Sequence, residues 1–238
     1  MQRLVNVLYP PACLICGARL AVEPQTPLCE ACVQAMPRSA APLCTRCGVR
    51  LSGAFDAMLT CAACRATVSA FEYARAPWQY AGAVHEAIHA FKYQHRWRIG
   101  RWLAQEMIAT AQRTLPLDEL TLLVPVPSHG WKRRLTGFDA PHYLGALVAR
   151  ALDKPWDPSA LRRRRWTATQ TRLSWRARAR NVQNAFAARP EAVHRQHVLL
   201  IDDVLTSGAT AHACAQALKA AGAASVYVLT AARTPSHA

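Results

Sequence analysis

The chain has 238 residues, 52% of them apolar, which is ample for the core of one large domain or two small ones. It carries 29 Lys and Arg against 14 Asp and Glu, a formal charge of +15. Such a field favours anionic partners (polyphosphates, nucleic acid or an acidic membrane surface) and says nothing about the fold. No run is long and apolar enough to span a bilayer, which excludes a transmembrane segment. Met1 to Pro11 holds a few apolar residues but breaks at Pro10-Pro11, so it does not read as a signal peptide, and the chain is expected to be cytoplasmic.

Eight of the nine cysteines form four Cys-x-x-Cys pairs, all before residue 65: Cys13/Cys16, Cys29/Cys32, Cys44/Cys47 and Cys61/Cys64. Two thiolates on one tight turn can grip a Zn²⁺ ion, and two such turns complete a tetrahedron. Gly17 and Gly48 follow the second cysteine of their pairs, as such knuckles favour. The simplest wiring is two sequential zinc ribbons, Cys13/16/29/32 and Cys44/47/61/64; an interleaved wiring, first pair with third, stays open. A basic chain without a secretion signal argues against a disulfide framework, and four repeats are too many for a thioredoxin-like redox site. Two structural zinc ions are therefore expected. Cys214 sits alone in a helical pattern and reads as a small core residue.

Between Thr67 and Pro77 the cysteines stop and aromatic residues rise, which puts a boundary here: a double zinc ribbon over 1–68 and a second domain over 69–238. Phe71, Tyr73 and Arg75 alternate with small or polar residues and read as a strand. Ala81 to Tyr93 reads as an amphipathic helix containing His85-Glu86-Ala87-Ile88-His89, a formal match to the His-Glu-x-x-His metalloprotease motif, with Glu106 as a conceivable third ligand. Three fixed residues are a weak signal, and surface or half-buried histidines are the simpler reading. Trp97 to Ala111 looks like a further helix.

Thr121 to Pro127 reads as a buried strand ended by its prolines. A basic loop from Ser128 to Arg134, with Lys132, Arg133 and Arg134, leads to a helix over Asp139 to Leu152. Such a loop suits a pyrophosphate group or is simply solvated. Asp157 to Glu191 is the most basic stretch, with Arg162 to Arg165, Arg172, Arg176, Arg178, Arg180 and Arg189 and with Trp166 and Trp175 interleaved. It fits a solvated arm, a helix with an arginine face, a lid closing over pyrophosphate, or a nucleic-acid track in which Arg neutralises phosphates and Trp stacks bases.

The apolar run Val198 to Ile201 reads as a buried strand, followed by Asp202 and Asp203, the turn Thr206-Ser207-Gly208-Ala209-Thr210, a helix over Ala211 to Ala221 closed by Gly222, and a strand over Ser225 to Ala231. This β-α-β unit places the turn at the carboxyl end of a parallel strand, where open α/β sheets bind ligands. Amide groups at a helix start, with the helix dipole, hold a phosphate. Gly208 lets the backbone approach, and Thr206, Ser207 and Thr210 add hydroxyls. The two carboxylates suit sugar hydroxyls, directly or through Mg²⁺. Phosphate at one end and diol at the other describe a ribose-5-phosphate site.

The stretch resembles the 5-phosphoribosyl-1-pyrophosphate (PRPP) signature of type I phosphoribosyltransferases: an apolar strand, Asp-Asp, then Thr-x-Gly-x-Thr. The resemblance widens across the chain. The cysteine pairs, Phe91-Lys92-Tyr93, Val124-Pro125-Val126-Pro127, Gln170-Thr171-x-Leu173-Ser174, Arg178, Asn181 and Ala185-Phe186 are similar, in order, to the ComF family of competence-associated proteins. That resemblance implies an α/β type I phosphoribosyltransferase fold, a parallel sheet flanked by helices, behind an N-terminal double zinc ribbon. It implies that Asp202 and Asp203 hold the ribose hydroxyls and Thr206, Ser207, Gly208, Ala209 and Thr210 the 5-phosphate. Lys132, Arg133 and Arg134 would belong to a pyrophosphate loop, and Arg178 to a mobile loop spanning Gln170 to Asn181.

The implied reaction is displacement of pyrophosphate from C1 of PRPP, with Mg²⁺, toward an unknown acceptor, helped mainly by electrostatics and positioning. The alternative is a non-catalytic protein handling single-stranded DNA during uptake, with competence-machinery proteins as partners. One departure stands out: where the family carries Arg-Gly-Phe-Asn-Gln, this chain has Thr136-Gly137-Phe138-Asp139-Ala140. An arginine and two amides are lost and a carboxylate is gained, which predicts an altered pyrophosphate contact.

Overall fold

The computed structural model describes residues 11–21, 26–52, 59–128, 138–164 and 184–235. Its centre is a parallel sheet. Strand β1 (Ala74–Arg75), β2 (Trp78–Gln79), β3 (Leu122–Pro125), β6 (His197–Leu205) and β7 (Ser225–Arg233) run in the spatial order β1-β7-β6-β3, and β2 pairs with β7 further along the same edge. Register fixes the site: Ile201 lies beside Pro125 on one side and Leu229 on the other, and Asp202 lies beside Thr230. Strands β4 (Leu161–Arg163) and β5 (Phe186–Ala188) form a separate antiparallel pair.

The sheet is covered on both faces, which is why its central strand reads as an unbroken apolar run. Alternation divides that run. Leu199 and Ile201 face a core shared with α3 (Ala83–Tyr93), α4 (Trp97–Thr114) and α5 (Ala140–Leu152), through Ile88, Phe91, Leu103, Met107 and Leu144. Val198 and Leu200 face the other core, with α7 (Ala209–Ala220) and the β4–β5 pair, through Leu161, Phe186, Cys214 and Leu218. All four strand residues are fully buried, each side chain worth roughly 1.5–3 kcal/mol of transfer free energy.

The amino-terminal cysteines stand on short elements, α1 (Glu30–Gln34) and α2 (Ala62–Ala66) among them. Cys13, Leu28 and Met36 join the core beneath α3 and α4. Cys44, Cys47 and Val49 form a small cluster of their own. Arg38 stacks on Trp78 at 4.0 Å and pairs with Glu106 at 2.8 Å.

The structure shifts several sequence expectations. The strand foreseen over Phe71 to Arg75 shrinks to Ala74–Arg75, with β2 following it along β7, although Glu72 and Tyr73 already exchange backbone hydrogen bonds with Val226 and Val228. Strand β6 continues through Asp202 and Asp203 to Leu205, since β7 pairs with it that far. Helix α7 begins at Ala209, two residues early. Within the arginine-rich stretch, Arg162 and Arg163 belong to β4, and α6 (Pro190–Val193) follows β5. Arg165, Trp166, Arg172, Trp175, Arg176, Arg178, Arg180 and the Gln170-to-Asn181 segment lie outside the described residues, as do Lys132, Arg133, Arg134, Thr136 and Gly137.

Candidate active site and metal centres

The four Cys-x-x-Cys turns resolve into two groups. The sulfurs of Cys13, Cys16, Cys29 and Cys32 lie within 4.8 Å of one another, and so do those of Cys44, Cys47, Cys61 and Cys64. The wiring is sequential, not interleaved. Cys16 and Cys29 sulfurs are 3.6 Å apart, and Cys47 and Cys61 sulfurs 3.7 Å. A tetrahedron with Zn–S bonds of about 2.3 Å separates its sulfurs by about 3.8 Å, so both groups fit Zn²⁺. None of these cysteines is in a disulfide. The backbone helps: Gly17 and Gly48, both at positive φ, donate to the carbonyls of Cys13 and Cys44 at 2.9 and 3.0 Å and close the knuckles. At Gly48 a Cβ would also stand 2.6 Å from the Ala74 carbonyl oxygen, so only glycine fits.

The second centre of chemistry lies at the carboxyl ends of β6 and β7. Asp203 is buried and pairs with Lys92 of α3 at 2.5 Å. Its backbone N–H donates to Oδ1 of Asp202 at 2.8 Å. Asp202 is pushed well above the usual carboxylate range by desolvation and then by the charge of Asp203, with Lys92 pulling the other way and Asp139 adding a further upward push. Lys92 is held above its ordinary value: desolvation opposes its charge, but the Asp203 carboxylate outweighs that. Tyr80 stands nearby, its phenol pushed up by burial against the pull of Lys92. The two carboxylates therefore form an unequal pair, one neutralised by a lysine and one poised to hold a proton, a hydroxyl or a cation.

The turn after β6 starts α7. Gly208 caps the helix in the left-handed region at φ 81°, with no side-chain cap. The Ser207 hydroxyl accepts from the Ala209 N–H at 3.3 Å. Amides of a first helical turn have no partner within the helix and point at whatever sits above them. Arg233, at the end of β7, donates to the carbonyls of Leu205, at 3.1 Å, and of Thr206, and so holds the turn from below.

Asp139 is the N-cap of α5. Its carboxylate accepts from the Ser128 hydroxyl at 2.6 Å and from the His142 N–H at 3.3 Å. Both oxygens are thus engaged locally, while the charge still reaches Asp202.

Lys92 is the residue that sequence reasoning left without a role. Its only trace is its place in Phe91-Lys92-Tyr93, because α3 and β6 meet only in the folded chain. His85 and His89 line a cavity of about 370 Å³ with Glu86, opposite Leu14 and Ile15. Their rings stack 6.3 Å apart, and no set of three metal-ligand atoms among the described residues includes them. Glu106 is engaged by Arg38, so the metalloprotease reading has no third ligand there.

A parallel sheet covered on both faces, an acidic pair and a helix-start turn at the carboxyl end of its middle strand, and two four-cysteine groups define the class: a type I phosphoribosyltransferase fold behind an N-terminal double zinc ribbon. Sequence comparison with known proteins supports the ribbon and shows the family. Residues 4–65 match the double zinc ribbon domain family. The chain is 33% identical over 230 residues to the DNA utilization protein YhgH of Escherichia coli K12, covering 94% of this chain and 98% of that one. It is 31% identical over 147 residues to Competence protein F of Haemophilus influenzae, covering 59% and 64% of the two chains. It is 23% identical to Competence protein ComFC of Bacillus subtilis over 92% of this chain and 93% of that one. The chain belongs to the ComF family of competence and DNA utilization proteins. Among solved structures, the glutamine PRPP amidotransferase of B. subtilis matches with a TM-score of 0.40 and 21% identity, over 58% of this chain and 29% of that one. Among the described residues no helix is long and apolar enough to cross a membrane.

Proposed function

We propose that the chain binds PRPP with Mg²⁺ at the carboxyl ends of β6 and β7 and transfers the phosphoribosyl group to an acceptor during DNA uptake. The observation that supports this most is the placement of Asp202 and Asp203 directly before the turn 206–210 that starts α7. In this reading the turn holds the 5-phosphate through the amides and hydroxyls of Thr206, Ser207, Gly208, Ala209 and Thr210. Asp202 and Asp203 hold the ribose diol. Mg²⁺ is bound by one or two carboxylates together with substrate phosphates in such sites. Asp202 is the carboxylate for it, since Asp203 is already paired with Lys92. Lys132, Arg133, Arg134 and Arg178 would meet the pyrophosphate. The zinc ribbon is read as the unit over 1–68 and the phosphoribosyltransferase-like unit as 69–238.

A second reading is a non-catalytic protein that handles single-stranded DNA. The names of its relatives and the charge of +15 favour it. So does Asp139, which places a carboxylate where the family carries an amide and raises the Asp202 carboxyl. Calorimetric titration of PRPP with Mg²⁺, followed by an assay of pyrophosphate release with bases and single-stranded DNA, separates the readings. Binding with release supports transfer. Binding without release supports the DNA-handling reading. Absence of binding overturns the PRPP site.

A further inference from the structure

One side chain joins the two centres. Arg233 ends β7 and stands in register with Leu205, the last residue of β6. Its Nη1 donates to the carbonyls of Leu205 at 3.1 Å, of Thr234 at 2.9 Å and of Thr206. The same guanidinium turns its other nitrogens to the second four-cysteine group. Its Nε donates to the Cys47 carbonyl at 3.2 Å, and its Nη2 lies 3.7 Å from the Cys47 sulfur.

The knuckle it touches is firmly seated. The Ala74 N–H of β1 donates to the Arg46 carbonyl at 2.7 Å. Arg75 donates to the Thr45 carbonyl at 3.0 Å. A rigid guanidinium fork presents its donors in fixed directions, so it cannot shift toward one partner without leaving the other.

From this geometry we infer that Arg233 is a positioning residue that couples metal occupancy of the Cys44/Cys47/Cys61/Cys64 group to the shape of the 5-phosphate turn. The ligand named here, PRPP, rests on the reading proposed above; the coupling itself does not. Four thiolates around one Zn²⁺ carry a net charge of −2, which attracts the guanidinium and fixes the Cys47 carbonyl. Loss of the metal removes both anchors. Arg233 then holds Leu205 and Thr206 less firmly, and the amides of the following turn lose their aim. Among the described residues, no such link joins Arg233 to the first four-cysteine group. That group packs into the core beneath α3 through Cys13.

The full-length protein tests this with two readouts, hydrogen exchange of the 205–209 amides and calorimetric PRPP affinity. Zinc content and the cobalt-thiolate absorption of the second site are followed in each variant. Cys61→Ser with Cys64→Ser removes second-site ligands that do not touch Arg233. Exchange of the turn is expected to quicken and PRPP affinity to fall, each about tenfold. Cys29→Ser with Cys32→Ser leaves both within about twofold. Arg233→Met keeps both metals, perturbs the cobalt-thiolate band, and reproduces the same losses. Combining it with the second-site substitutions adds nothing further. Additive losses overturn the coupling, and so does an Arg233→Met protein whose turn exchanges as in the wild type. If exchange responds while the wild type binds no PRPP, the substrate reading fails and the coupling stands. If PRPP binds and neither readout responds, the coupling fails and the substrate reading stands.

Discussion

Lys92, on α3, and Asp203, on β6, are 111 residues apart in sequence, and their charged groups meet at 2.5 Å. The contact sets the electrostatics of the whole carboxyl edge. With Asp203 neutralised, Asp202 is the carboxyl left to desolvation, and it responds by holding its proton more tightly than an ordinary carboxylate. Replacing Lys92 by Met leaves Asp203 buried and unpaired. The side chains of this pair are 27% and 12% exposed, between a surface and a core ion pair, so a loss of about 2 kcal/mol is expected. Urea unfolding checks this. Adding Asp203→Asn should recover most of the loss; a double variant as unstable as the sum of the singles would show that the pair is not coupled.

Asp202 carries a pH dependence whose sign follows from its raised folded value. An acid raised by folding contributes stability that is complete below its ordinary value and is lost as pH climbs through the folded value. The ligand-free protein should therefore lose stability over that range, and Asp202→Asn should remove the slope. Cation binding runs the other way, since only the ionised carboxylate is a ligand. Mg²⁺-dependent PRPP affinity should strengthen with rising pH and release a proton, visible as a buffer-dependent heat of binding.

Asp157 has the opposite sign. Desolvation would raise it, but the Ser159 hydroxyl and N–H, then the Arg189 guanidinium at 2.7 Å, hold it below its ordinary value. The stability it contributes is present above the ordinary carboxylate value and is lost as pH falls through the folded one. Asp157→Ala should cost about 2 kcal/mol at neutral pH and less in acid. Thermal unfolding at neutral and acidic pH measures both.

Asp139→Asn keeps the cap of α5, because the amide oxygen still accepts from the His142 N–H, while the amide NH₂ takes the place of the other oxygen and donates to the Ser128 hydroxyl. It removes a charge that raises Asp202. PRPP affinity should rise by about two- to fivefold, the scale of one screened charge pair. Unchanged affinity in titration would show that the charge of Asp139 does not reach the ligand.

Metal analysis should find about two zinc ions per chain, and Cys16→Ser or Cys64→Ser about one. Loss of both ions from a single substitution would contradict two independent four-cysteine groups.

Much of this was legible in the chain. The unbroken apolar run Val198 to Ile201 marks β6 as a buried strand, because an α/β sheet covers both sides of its middle strand. Cys-x-x-Cys spacing marks zinc, because one turn of backbone brings two thiolates to one ion. Asp-Asp before Thr-x-Gly-x-Thr marks the candidate site and its strand-to-helix turn, because strand, turn and helix start are contiguous in sequence. Tertiary structure decided what spacing leaves open. Pairing of the knuckles as Cys13/16/29/32 and Cys44/47/61/64 depends on how the chain returns to itself, and the four turns look alike in sequence. Lys92 and Arg233 carry no signal of their own: a lysine on an amphipathic helix and an arginine at a strand end acquire their roles only when α3, β6 and the second knuckle arrive at the same edge of the sheet.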